Sequence, residues 1–149
     1  MSQAKDAKGF DVTDYIKSSY RNPITTMINL ELWQENNELL TNNDIGKAIF
    51  LTELLLDFGY KNKAIKLNEK LLQAVKKLKL SKPLLPHHGI DLELLEARIL
   101  INDTKINKAF ELLRRLETKI IDLKLTEQEF KLAMLFANIY SKQADFTSF

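Results

Sequence analysis

Apolar positions recur along this chain with the three-to-four-residue spacing of amphipathic helices. Ile45, Ile49 and Leu56, for example, share one side of a segment that Asp44 is expected to cap. No segment alternates with a period of two, as a half-buried strand would. The same spacing predicts helices over residues 12–20, 23–40, 44–57, 61–79, 90–102, 105–121 and 127–143. The pattern therefore indicates an all-α chain of antiparallel helix hairpins, with about six or seven helices.

The breaks between these helices carry local signals. Asn22-Pro23 combines a helix-capping residue with proline at the first helical position. Gly59 can adopt the left-handed conformation that ends many helices, and 81–89 reads as a proline-punctuated loop. Thr126 with Glu129 three residues later predicts a capping box in front of the last helix.

Composition narrows the class of protein further. Only 4 glycines and 3 prolines are present, which disfavours an all-β fold with many tight turns, and 0 cysteines exclude disulfides and thiolate metal sites. The first residues lack the apolar core of a signal peptide, and no run reaches the roughly 18 apolar residues of a membrane span. We expect a cytoplasmic protein without membrane insertion, with a disordered leader at 1–10 and a single helical domain over 11–149.

The helix breaks also define an internal repeat. The aligned positions are Leu55, Gly59 and Ala64, then Leu100, Thr104 and Ala109, then Tyr140 and Ala144, with small residues at Thr52, Ala97 and Ala137. This order of residues resembles the tetratricopeptide repeat (TPR), in a divergent form with lengthened units. The resemblance is clearest in two segments, GYKNKAIKLNEKLL (59–72) and FANIYSKQADF (136–146). The resemblance covers 44–146 and implies hairpins stacked as a short α-solenoid.

The resemblance also implies a function. In such a solenoid the first helices of the hairpins, the A helices, line a concave groove that binds another protein or a peptide, so we expect a non-catalytic adaptor, scaffold or regulatory domain. Arg98 and Lys142 could hold a carboxylate, and Asn102 and Asn138 could bond a peptide backbone. The groove positions carried over are Glu53, Leu56, Asp57, Leu94, Arg98, Asn102, Lys131, Asn138 and Lys142.

The last predicted helix is apolar around most of its circumference. A terminal repeat needs a polar outer face to stay soluble. Three explanations fit: the chain is the amino-terminal part of a longer protein, it forms a homodimer through this helix, or the helix is buried in a closed bundle. The residues proposed for self-association, which would make the protein a self-assembling scaffold, are Phe130, Met134, Leu135 and Ile139.

Charge suggests an alternative partner. Residues 61–82 hold eight lysines against the single acid Glu69. Four of them share one helical side, opposite an apolar stripe of Ile65, Leu72 and Val75; we call these four, Lys63, Lys66, Lys70 and Lys77, the lysine ridge. The ridge suits a nucleic acid or another anionic surface. However, no arginine and only Tyr60 accompany it, so a solvated face is the simpler interpretation.

Catalysis has little support. His87-His88 is the only histidine pair, and zinc needs at least three protein ligands, which no spacing here provides. The four glycines are isolated, so no phosphate-binding loop is present, and no G-x-S-x-G nucleophile motif occurs. We therefore predict that the protein is not an enzyme and uses no metal or cofactor.

Overall fold

The protein is built from α-helices joined by short turns. A computed structural model describes residues 22–77 and 83–147, with side chains to Ala144, and contains no strand within those ranges. Within these two ranges six helices follow one another: α1 Pro23–Glu35, α2 Asn42–Asp57, α3 Lys61–Lys76, α4 Pro86–Asn102, α5 Ile106–Asp122 and α6 Thr126–Thr147. Consecutive helices pack on each other in the pairs α1 with α2, α2 with α3, and α5 with α6. The predicted all-α class and hairpin packing are confirmed.

Two compact units divide the chain, one ending at His88 and the other beginning at Gly89. In the first unit, α1 begins at Pro23, as the Asn22-Pro23 signal predicts. It ends at Glu35, not at residue 40, because Asn36 and Asn37 turn their side-chain amides back onto the carbonyls of Leu32 and Trp33. These bonds satisfy carbonyls that a helix leaves without partners at its end.

The cap of α2 lies three residues earlier than predicted. Thr41, and not Asp44, is the cap: its hydroxyl accepts a hydrogen bond from the Asp44 amide at 3.1 Å. The Asp44 carboxylate in turn accepts from the Thr41 amide at 3.1 Å and from the Leu40 amide at 3.0 Å. Asp44 therefore acts inside the first turn, where its charge also complements the helix dipole.

One turn geometry recurs three times, between α2 and α3, α4 and α5, and α5 and α6. Gly59, Thr104 and Lys124 each adopt positive φ, at 83°, 62° and 54°. The residue after each of them donates its amide to a carbonyl five positions earlier, as in a Schellman turn. The left-handed role predicted for Gly59 is confirmed, and Thr104 occupies the aligned position 45 residues later.

Within the first unit, the start of α2 forms hydrogen bonds with the segment at residues 83–85. Asn42 donates its amide to the Pro83 carbonyl at 2.9 Å and accepts from the Leu85 amide at 2.8 Å. Helix α4 then begins at Pro86, so the loop predicted for 81–89 is wrong over its last four residues. Proline lacks the amide that a first helical position leaves unused, which favours a start here.

Helices α4, α5 and α6 build the core of the second unit. Its buried members are Ile90, Leu94, Ala97, Ile101, Ala109, Leu112, Leu113, Leu116, Ile120, Leu132, Leu135 and Ile139. This set corrects the proposal that Leu135 and Ile139 mediate self-association, because both lie inside the unit. Leu94 and, in the first unit, Leu56 are also buried and do not present side chains to a groove.

The last helix is longer than predicted. It begins at Thr126 itself, so Thr126 is its first helical residue and not its cap, and it continues to Thr147. Ala144, aligned with the turn residues Gly59 and Thr104, is therefore helical. The predicted leader at 1–10, the short helix at 12–20 and residues 78–82 lie outside the described residues.

Candidate functional site

Helices α4 and α6 lie side by side and run in the same direction. Near their starts, Lys131 Nζ lies 3.1 Å from the Asp91 carboxylate, and near the end of α4, Lys142 Nζ donates to the Ile101 carbonyl at 3.3 Å. These contacts join residues 40 and 41 positions apart. Nearly equal offsets at both ends mean that the two helices are parallel, which is the relation expected between successive A helices of a repeat.

A buried cluster of polar side chains joins the starts of the two helices by hydrogen bonds. Asp91 accepts hydrogen bonds from Gln128 Nε2 and Lys131 Nζ, both at 3.1 Å. Asp91 and Gln128 are almost wholly buried. Lys131 also lies 3.8 Å from Glu127 on its own helix. Burying a carboxylate is tolerated here because it is paired with an ammonium group and a hydrogen-bond donor.

Sequence reasoning missed this cluster. The helical periodicity and the capping signals assign no role to Asp91 or Gln128. A signal was available, since Asp91 interrupts the run of apolar positions at the start of α4 and stands 40 residues before a lysine.

Predicted groove residues line the other end of this helix pair. With the 40-residue offset, Arg98 on α4 lies level with Asn138 on α6, and Asn102 lies level with Lys142. Arg98, Asn138 and Lys142 are partly exposed and Asn102 is exposed. We call these four residues the α4–α6 polar face. The offset between the two helices thus sets two positive groups and two amides at matching heights within one unit.

The remaining groove predictions have different outcomes. Lys131 and Lys142 were expected to bind a partner, but each contacts its own chain through the Asp91 cluster and the Ile101 carbonyl. Lys142 thereby supplies a donor and a positive charge at the carboxyl end of α4, which is favourable there. Glu53 and Asp57 belong to α2 in the first unit, where Glu53 is partly exposed and Asp57 is exposed.

The lysine ridge lies on the exposed side of α3. Its members are exposed, but Lys63 Nζ lies 3.3 Å from Glu31 on α1 and 5.3 Å from the Tyr60 ring centroid. Lys70 and Lys77 line a shallow cleft of about 280 Å³ together with Glu38, Leu39, Gln73 and Ala74. An acid thus lies beside three of the four lysines, Glu31 beside Lys63 and Glu38 beside Lys70 and Lys77, which reduces the positive field there.

The apolar stripe of α3 differs from the prediction. Leu72 is exposed, whereas the buried side of the helix consists of Ala64, Leu67, Asn68, Leu71 and Ala74. Ile65 and Val75 are partly buried. The core face is therefore centred near Leu71, about a quarter of a turn from the predicted stripe.

The described residues offer no metal-binding group: within 22–77 and 83–147, no three histidine or acidic side chains come together as such a site requires. Over the same ranges, none of the helices combines the length and apolar character needed to cross a bilayer. No protein-family model, curated protein or solved structure matches the chain. The tetratricopeptide resemblance therefore stays a prediction.

Proposed function

We propose that the chain is a non-catalytic binding module of the TPR-like type, which holds an extended segment of another protein on the α4–α6 polar face. The observation that carries this proposal is the parallel pairing of α4 and α6 by Lys131 and Lys142. It supports the proposal because these intramolecular bonds place polar side chains of two helices at matching heights on one unit. A preorganised face loses less entropy when it binds.

The chemistry of the face favours an acidic segment. Arg98 offers a planar fork of donors that can bond a carboxylate at two points. Asn102 and Asn138 can each donate to and accept from a peptide backbone at once. At the other end of the two helices, Asp91 and Glu127 oppose a single lysine. This charge gradient favours a ligand whose acidic end lies beside Arg98 and Lys142.

The experiment is a selection from a displayed random-peptide library, followed by fluorescence anisotropy of a labelled peptide from that selection. We expect Arg98→Ala/Asn138→Ala to weaken its binding about 30-fold, since each lost bond to a charged or amide group is worth about 1 kcal/mol or more. The matched control is Arg115→Ala/Asn107→Ala, which removes the same residue types from exposed positions of α5.

Equal affinity for wild type and the Arg98/Asn138 variant would contradict the proposal. The lysine ridge is the alternative, and it predicts a different pattern. Binding would then fall steeply between about 0.1 M and about 0.5 M salt. It would also be lost in Lys66→Gln/Lys70→Gln/Lys77→Gln, while the Arg98/Asn138 variant bound normally.

A further inference from the structure

The outer face of α6 corresponds to a face that is buried in both preceding A helices. In α2 this face consists of Ile45, Ile49, Thr52 and Leu56, and in α4 of Ile90, Leu94, Ala97 and Ile101; all eight are buried. The same positions in α6, displaced by 40 residues from α4, are Phe130, Met134, Ala137 and Ser141. We call these four the α6 outer face.

These four side chains are exposed. Phe130 has 68% of its surface accessible and Met134 has 57%, although Leu135 and Ile139 on the opposite side of α6 lie in the core. Isolated apolar side chains on a surface are ordinary, but a contiguous stripe one turn apart along a helix marks a contact surface. The α6 outer face is therefore an A-helix surface with no second helix against it among the described residues.

The other hairpins indicate what kind of element fits such a face. After α2 and α4 the chain reverses through the same turn, so α3 runs antiparallel to α2 and α5 runs antiparallel to α4. Ala109 of α5 shares one buried core with the α4 face, and Ala64 of α3, which packs on α2, is also fully buried. Small side chains let two helix axes approach closely. The element that fits the α6 outer face is thus an antiparallel helix with small residues at its contact.

Helix α6 meets these requirements itself. Its outer face has a large half, Phe130 and Met134, and a small half, Ala137 and Ser141. A two-fold axis passing between residues 135 and 136 makes two copies of α6 antiparallel. It sets Phe130 of one copy against Ser141 of the other and Met134 against Ala137. Large residues then fill the space that small ones leave, and every contact occurs twice, as an isologous interface requires.

Charge along one edge of this face is also complementary. Glu127 and Lys142 lie on the same flank of α6, at opposite ends of the stripe. The two-fold arrangement brings Glu127 of one copy close to Lys142 of the other, and the reverse. Such rim pairs add little affinity but favour the antiparallel orientation over the parallel one.

We propose that the α6 outer face is a homodimer interface, in which α6 of a second copy takes the place that α3 and α5 take in the other hairpins. The four residues of the α6 outer face are not part of the α4–α6 polar face, so variants of the two surfaces test the two proposals separately, although Lys142 at the rim belongs to the polar face. An interface made by one helix from each copy is small, so we expect a dissociation constant on the order of 10 µM.

Sedimentation velocity over about 1–200 µM protein tests the proposal, since that range brackets the expected dissociation constant. Wild type should shift from monomer to dimer. Ala137→Glu places two like charges close together at the two-fold axis and should weaken dimerisation about 100-fold or more. The matched control is Gln143→Glu, which adds the same charge at an exposed position of α6 away from the outer face and should dimerise normally.

Cysteine pairing tests the orientation, because the chain has no cysteine of its own. Mixing Met134→Cys chains with Ala137→Cys chains under oxidising conditions should give a mixed disulfide in preference to either homodimeric one. A monomeric wild type across the concentration range would overturn the proposal and indicate that another polypeptide covers the face. A dimer that survives Ala137→Glu, with circular dichroism showing an intact fold, would overturn it as well.

Discussion

Removing the Asp91 carboxylate should destabilise the second unit strongly, because this nearly buried group accepts hydrogen bonds from two side chains of α6. In Asp91→Ala, the nearly buried Gln128 amide loses its acceptor, which costs about 1–3 kcal/mol. The Lys131 ammonium loses an ion pair, but its side chain is 23% exposed and keeps Glu127 nearby. That loss adds about 0.5–1 kcal/mol. The total expected loss in the free energy of unfolding is therefore about 3 kcal/mol.

Urea denaturation followed by circular dichroism at 222 nm measures this loss. With a slope of about 2 kcal/mol per molar urea, the midpoint should fall by about 1.5 M. Glu96→Ala is the matched control, because it removes an exposed carboxylate from the same helix and should change the stability by less than about 0.5 kcal/mol.

A second variant separates the polar cluster from the packing around it. Replacing all three members, as Asp91→Leu/Gln128→Leu/Lys131→Met, leaves no buried polar group unpaired and should return the stability to within about 1 kcal/mol of wild type. The reasoning would be refuted by a midpoint for Asp91→Ala within about 0.3 M of wild type. A triple variant as unstable as the single one would show that the lost stability comes from packing and not from unpaired polar groups.

Two further predictions concern positions where the repeat departs from its own pattern. Asn68 is 7% exposed and its Oδ1 accepts no hydrogen bond from the described residues, whereas the aligned Leu113 is fully buried in the apolar core. Asn68→Leu should therefore stabilise the fold by about 1 kcal/mol and raise the Tm measured by calorimetry by about 2–4 °C. A lower Tm would show that the amide is needed. Gly59→Ala should cost about 1–2 kcal/mol in urea titration, because φ is 83° while the added Cβ meets open space. Lys124→Gly, at φ 54° in the equivalent turn, should have the opposite sign and stabilise by about 0.5–1 kcal/mol; equal signs for the two changes would rule out backbone strain as the cause.

Helix positions were largely predictable because their signals are local. The Asn22-Pro23 start and the Gly59 turn depend on a few neighbouring residues, and both occur as expected. Errors occurred where side chains from nearby turns competed. Asn36 and Asn37 end α1 early, and Thr41 takes the cap that Asp44 was expected to provide. Such competition is decided by hydrogen-bond geometry that residue types alone do not specify.

The candidate site was predictable only in part. Arg98 and Asn138 were placed on one face because repeat alignment gives both the helix and the side that each occupies. The roles of Lys131 and Lys142 were not predictable, since a lysine on a helix can equally contact a ligand or its own chain. Their intramolecular bonds depend on a neighbouring helix whose contacting residues lie 40 and 41 positions away in the chain. The local sequence around each lysine does not show that this helix lies beside it in the fold.

The amino-acid sequence by itself determined the helices, the turns between them and the 45-residue correspondence of the first two hairpins, because periodicity and turn chemistry act over a few residues. Only the tertiary structure decided which side of α6 is core. Apolar residues surround that helix, so its sequence holds no strong preference for one side. Packing against α4 and α5 buries Leu135 and Ile139 and leaves Phe130 and Met134 at the surface. The burial and pairing of Asp91 were likewise decided by packing, since a buried charge is stable only where the fold places a charged or hydrogen-bonding partner beside it.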